Sequence, residues 1–203
     1  AVAGCKMLSE RLGSTSVYVP FSFDFEEIDA GFSALAEKLG ILLQDSTAKR
    51  QACIDALKET LDLIGNTPIA IDYTYSPRPL GLAKLLLDHG FNVQRVYLDA
   101  VTGEEKKVFE DLQAQYPTLE LFPTVHASMR FLAQKEPSDY LAIGQKAAHF
   151  LNTPHFVNVV EGGGMLGYQA VLKTLGLMRE AFLEEKDTRN LIQIKGMGCG
   201  GCV

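Results

Sequence analysis

Two cysteines separated by a pair of glycines stand near the end of the chain, in Gly198-Cys199-Gly200-Gly201-Cys202. Thiolates at this spacing can share a metal ion, but a closed zinc or iron–sulfur site takes about four ligands. Cys199 and Cys202 are therefore candidate metal ligands whose remaining partners would be Cys5 and Cys53, a second copy of the chain, or none. The other readings are a plain tail and a redox disulfide. A thioredoxin-type site would put the pair at a helix start beside an early strand, which this position does not offer. Ser76-Pro77-Arg78-Pro79 is a rigid turn into a helix, where free N–H groups favour an anion and Arg78 can grip a carboxylate or phosphate with two bonds. An ordinary helix start with a solvated Arg fits the same residues. His126 follows Thr124 and Val125 and can donate a proton or bind a metal, or serve as a loop residue. Glu161-Gly162-Gly163-Gly164 allows very close backbone approach to a ligand, since no Cβ intervenes. Its glycines lack the spacing and position of a dinucleotide fingerprint, so NAD binding is not expected.

These groups need elements to position them, and the apolar spacing supplies a set. Cys5–Leu12 has helical spacing, Ser16–Phe21 has the β-branched and aromatic content of a strand, and Asp29–Leu39 reads as an amphipathic helix closed by Gly40. Ser46–Ile64 is a helix ended by Gly65. A regular alternation follows: strand Pro68–Tyr75, helix Pro79–His89, strand Asn92–Leu98, helix Glu104–Tyr116, strand Leu119–Pro123, short helix Ala127–Gln134, strand Asp139–Ile143, helix Gln145–Leu151, strand His155–Val160 and a long helix Gly167–Glu185. Five strands with helical crossovers predict an α/β fold with a Rossmann-like, doubly wound parallel sheet. The expected organisation is residues 1–45 as the end of a preceding α/β domain, 46–65 as a linker helix, 66–187 as the Rossmann-like domain and 188–203 as a glycine- and cysteine-containing tail.

In such a sheet ligands sit at the carboxyl ends of the strands. That edge gathers Tyr73, Tyr75, Ser76 and Arg78 after the first strand, Asp99 after the second and His126 after the third. Gly144, Gln145 and Lys146 follow the fourth, and Glu161, Gly162, Gly163 and Gly164 the fifth. Among the other histidines, His149 reads as a packing or surface residue, His89 as a helix C-terminal residue, and His155 has no evident partner.

The 203-residue chain carries a net charge of −6 with 47% hydrophobic residues. That content supports a buried core, and with no dense basic run it disfavours nucleic acid or anionic lipid as a partner. No apolar stretch approaches the roughly 20 residues of a membrane span. The start has neither initiator Met nor signal-peptide pattern, which suggests a piece of something longer, and four cysteines are too sparse for a disulfide scaffold. A cytoplasmic setting is expected.

Several stretches, in order, resemble the C-terminal half of nitrogenase component 1-type subunits, a family that includes nitrogenase, its cofactor-assembly scaffold and the dark-operative protochlorophyllide and chlorophyllide reductases. They are Val19-Pro20-Phe21, then Ile69-Ala70-Ile71-Asp72 with Leu80-Gly81-Leu82-Ala83-Lys84-Leu85-Leu86, Asp139-Tyr140-Leu141-Ala142-Ile143-Gly144, Asn152-Thr153-Pro154, and Gly167-Tyr168-Gln169 with its helix. The resemblance implies an oxidoreductase subunit paired with a second component 1-type chain and reduced by an ATP-dependent iron–sulfur protein. It also implies an iron–sulfur cluster whose ligands lie mostly in an N-terminal domain outside this sequence, so the isolated fragment is expected to be inactive. Nitrogenase has a His that ligates its iron–molybdenum cofactor where Val157-Asn158-Val159-Val160 has none. A tetrapyrrole-type substrate is therefore favoured over dinitrogen. The alternatives are a non-catalytic scaffold holding a metallocluster or tetrapyrrole, and a free-standing module for a small ligand.

Overall fold

A computed structural model describes residues 2–131, 136–160 and 165–188. Its helices are α1 (Val2–Leu12), α2 (Phe25–Leu39), α3 (Thr47–Ile64), α4 (Pro79–Asp88), α5 (Lys106–Gln115), α6 (Gln145–Leu151) and α7 (Gly167–Leu183). The strands are β1 (Ile69–Asp72), β2 (Val93–Leu98), β3 (Glu120–Pro123), β4 (Leu141–Ile143) and β5 (Phe156–Val157). They form one sheet in the order β3-β2-β1-β4-β5, and every pairing is parallel. This is the expected doubly wound architecture, with β1 at the centre and the direction of winding reversing between β1 and β4.

Period-two alternation divides the strands between two cores. Ile69, Ile71, Val96, Leu98, Leu141, Ile143 and Val157 face a large core built with α2, α3, α4, α5 and α7. Ala70, Tyr97, Ala142 and Phe156 face a smaller one closed by Ala147, Ala148 and Leu151 of α6 and by Met129. The small residues Ala70 and Ala142 let α6 lie close to the sheet, and larger ones would push it away. α3 buries Cys53, Leu57, Thr60 and Ile64 and packs along α7, so it is part of the layer covering the sheet. A fully buried Leu or Ile in that seam stabilises by about 1.5–3 kcal/mol.

The segment Ser16–Phe21, expected as a strand, has no regular secondary structure: among the described residues, all the strands of the sheet come from residues between Ile69 and Val157. A segment without a partner strand forms no ladder. The helix expected at Asp29 begins at Phe25, where the Asp24 side chain accepts the Glu27 N–H at 2.9 Å as N-cap. The helix expected over Ala127–Gln134 is a 3₁₀ turn at Ala127–Phe131, and residues 132–135 lie outside the described residues. The last strand, expected to reach Val160, pairs among the described residues through Phe156 and Val157, at the edge of the sheet beside β4.

Candidate functional site

The carboxyl ends of the strands bring together a row of polar side chains. Thr124, after β3, donates its hydroxyl to Asp99, which follows β2. The Tyr73 hydroxyl, after β1, accepts from the Lys146 ammonium at the start of α6, which also lies 4.3 Å from the centre of the Tyr73 ring. Gln145 donates to the Asn158 side chain after β5. Burial raises the Tyr73 pKa, the Lys146 cation counters it, and Asp99 adds to the rise. The row thus runs Thr124, Asp99, Tyr73, Lys146 across the edge, with Gln145 and Asn158 beyond it.

Below this row, at the point where the winding reverses, the chain fills the crevice with its own carboxylate. Asp72 is fully buried and accepts the Ala147 N–H at 2.7 Å and the Thr74 N–H at 2.7 Å. The Thr74 hydroxyl also donates to it. Burial raises the Asp72 pKa, while these donors and the Lys146 charge pull it back. Gly144, with φ +117°, passes so close that a Cβ there would overlap the Asp72 carboxylate. Only glycine adopts this backbone freely and leaves the carboxylate its place.

A second carboxylate fills the anion position expected at the turn into α4. Glu105 is 1% exposed and its Oε1 accepts the Gly81 N–H at 2.9 Å, in the first turn of α4. Burial raises its pKa from 4.5 to about 7, against the pull of the Gly81 donor and the Arg78 charge. The turn Ser76-Pro77-Arg78-Pro79 thus does meet carboxylates, but they belong to this chain. Arg78 donates from Nη2 and Nε to Glu104 at 2.8 and 3.2 Å and from Nη1 to Glu27 at 2.7 Å. Ser76 is buried and its Oγ accepts the Arg78 N–H at 3.1 Å. Tyr75 is buried in the large core, its hydroxyl 2.7 Å from Thr174 Oγ1.

Of the residues singled out in the sequence, Asp99, Gln145 and Lys146 lie together on the edge. His126 is exposed beyond it, its Nδ1 2.7 Å from Ser128 Oγ. Tyr75, Ser76 and Arg78 are turned inward. Glu161, Gly162, Gly163, Gly164, Cys199 and Cys202 lie outside the described residues. Asp72, Glu105, Thr124 and Asn158 were not anticipated as part of the site. The signal available for Asp72 was a buried strand ending in Asp beside a second strand ending in Gly144.

Among the described residues no group of three or more His, Cys, Asp or Glu could hold a metal ion. Cys53 is buried, its thiol lies 3.4 Å from the Tyr168 carbonyl, and burial pushes its pKa up to about 11. A protonated, enclosed thiol is a poor cluster ligand. Cys5 is exposed and, among the described residues, belongs to no group that could hold a metal. The described donor set therefore does not fit an iron–sulfur cluster.

Comparison with known proteins returns a match of structure only. No family model matches the chain, and no match is found among curated proteins. A solved structure described as "Nitrogenase Cp1 at pH 6.5" superposes with a TM-score of 0.58 at 14% identity, covering 89% of this chain and 42% of that one. The fold is nitrogenase-type. At this identity the likeness is one of architecture, and the chain spans 42% of the length of the nitrogenase chain it matches. No described helix is long and apolar enough to cross a membrane.

Proposed function

We propose that this chain is the C-terminal part of a nitrogenase component 1-like oxidoreductase subunit. In this reading the complete subunit pairs with a second component 1-type chain and accepts electrons from an ATP-dependent iron–sulfur protein to reduce a bound substrate. The observation that supports it most is the structural match, which runs through 89% of this chain and uses 42% of the nitrogenase chain. The order of resembling stretches from Val19 to Gln169 points the same way. A tetrapyrrole-type substrate is favoured over dinitrogen because the stretch from Val157 to Val160 has no His.

The part assigned to this chain is one wall of the reactive pocket. Lys146, Tyr73 and Asp99, with Gln145 and Asn158, would face the bound group from the strand ends and orient it through hydrogen bonds. Asp72 and Glu105 occupy the helix N-termini where a phosphate would otherwise sit, so this wall suits a ligand held by polar side chains rather than by helix dipoles. An iron–sulfur cluster would be held by residues outside the described set, and no step is assigned through it. Cys199 and Cys202 remain candidates for a separate metal.

The reading is tested by purifying the polypeptide of the complete gene without oxygen and measuring its iron and labile sulfide. Stoichiometric iron and sulfide are expected. A protein that purifies without iron and gains no cluster on reconstitution contradicts it. Bound cofactor without turnover would favour the assembly-scaffold alternative. Tight binding of a small anion or metal chelate by the 203-residue chain alone would favour the free-standing module.

A further inference from the structure

Two stretches away from the strand ends leave apolar side chains in water. α1 is eleven residues long, and from Ala3 to Leu12 every position is exposed except Ser9, which is half-buried. Met7, Leu8 and Leu12 are among the exposed residues. A helix shorter than about 12–15 residues is marginal in water by itself and gains its stability from packing. The second stretch is the link from α2 to α3, where Leu39, Ile41, Leu42 and Leu43 are all exposed, Leu42 at 97%.

The link is not a loose loop. Gly40, at φ +65°, stops α2, and both its N–H and that of Ile41 donate to the Ala36 carbonyl, the latter at 3.0 Å. On the far side Ser46 donates to Asp29 at 2.7 Å, and Arg50 of α3 bonds Glu26 at 2.6 Å. α2 itself is seated on the large core: Phe25 packs against Tyr168 of α7 with ring centres 5.6 Å apart, and Ile28, Gly31 and Ala36 are buried. The run Ile41–Leu43 is thus presented between two fixed points. Apolar side chains exposed side by side on a held backbone mark an interaction surface, unlike apolar residues scattered singly.

We infer that the Leu39–Leu43 run and α1 form the seat of the preceding lobe of the complete subunit. The inference rests on the reading proposed above. The matched nitrogenase chain extends well beyond the 42% that this chain covers, and the resembling stretches belong to the C-terminal half of such subunits. In that reading the rest of the polypeptide enters through α1. A lobe tethered to α1 meets this surface at an effective concentration of about millimolar, an advantage that a separate partner of equal fit does not have. α2 would then join the two lobes, one side against α7 and its carboxyl end against the preceding lobe, whose facing surface must be apolar to match Ile41, Leu42 and Leu43.

Hydroxyl-radical labelling read by mass spectrometry tests this on the 203-residue chain and on the polypeptide of the complete gene. Labelling of Met7, Leu8, Leu12 and the Leu39–Leu43 run is expected to fall severalfold in the complete polypeptide, while Leu183, 67% exposed at the end of α7, stays as reactive. Leu42→Asp should leave the urea midpoint of the 203-residue chain unchanged and raise labelling of Ile41 and Leu43 severalfold in the complete polypeptide. Equal labelling of the seat in both proteins, or a Leu42→Asp pattern identical to wild type, overturns the inference. Protection in the 203-residue chain alone that grows with its concentration also overturns it, and would give the surface to a second copy. Iron and sulfide measured on the same complete polypeptide separate the two claims: iron with an unprotected seat defeats this inference alone, and a protected seat without iron defeats the redox reading alone.

Discussion

Gly144→Ala should be among the most damaging single-methyl additions the chain can suffer. The new Cβ would occupy the place of the Asp72 carboxylate, and the backbone at φ +117° is one that an L side chain rarely adopts. The backbone strain costs about 1–3 kcal/mol. Displacing Asp72 strips partners from the Ala147 N–H, the Thr74 N–H and the Thr74 hydroxyl, and each buried group left unpaired costs about 1–3 kcal/mol. Even with partial relaxation the sum is about 3–6 kcal/mol, a large share of the roughly 5–15 kcal/mol that holds a typical domain together. Urea unfolding followed by far-UV circular dichroism measures it. Gly176→Ala, inside α7 with nothing within 4 Å of the added Cβ, is the control and should stabilise by about 0.5–1 kcal/mol. If Gly144→Ala stays within about 1 kcal/mol of wild type, Asp72 moves freely and the crevice is not sealed as described.

Three further outcomes follow from the same geometry. The folded state binds the Glu105 proton more tightly than the unfolded state, with a pKa of about 7 against 4.5. Its contribution to stability is therefore lost as pH rises from 4.5 through 7 and is constant above. The ceiling is about 3 kcal/mol, of which about 2 kcal/mol falls between roughly pH 5.5 and 8.5; unfolding across that range should show Glu105→Gln gaining about this much on wild type, and a constant gap would contradict the assignment. Lys146→Met should raise the Tyr73 pKa further, because burial stays and the countering cation goes; ultraviolet titration referenced to Tyr73→Phe reads the change, and an unchanged titration would remove the contact. Alkylation mapped by mass spectrometry should modify Cys5 rapidly and Cys53 only as the protein unfolds, since one is exposed and the other buried with a raised pKa; rapid labelling of Cys53 would show that the α3–α7 seam opens.

The sheet was legible because parallel strands buried on both faces write themselves as short apolar runs between helices closed by Gly or Pro, as at Gly65, Gly90 and Pro117. Gln145–Leu151 could be read to the residue, since Gly144 and Asn152 bound it on either side. The stretch at Ser16–Phe21 could not, because β-branched composition records a preference and says nothing of whether a partner strand exists. The site was half legible. Strand-end placement located Asp99, Gln145 and Lys146, a consequence of topology alone. It also placed Arg78 and Ser76 at a helix start without showing that Glu104 and Glu27 had taken the guanidinium, or that Glu105, from a segment beyond the next strand, had taken the helix N–H. Such pairings depend on how α5 packs against α4, which no local pattern records. Glu105 itself looked like an ordinary acidic residue in the first turn of a helix.

The most direct test of the redox-subunit reading is electron transfer into the complete polypeptide. Mixed without oxygen with an ATP-dependent iron–sulfur protein, a reductant and ATP, it should show an electron paramagnetic resonance signal from a newly reduced cluster that depends on ATP. Absence of any ATP-dependent signal from a preparation already shown to contain iron would contradict the account.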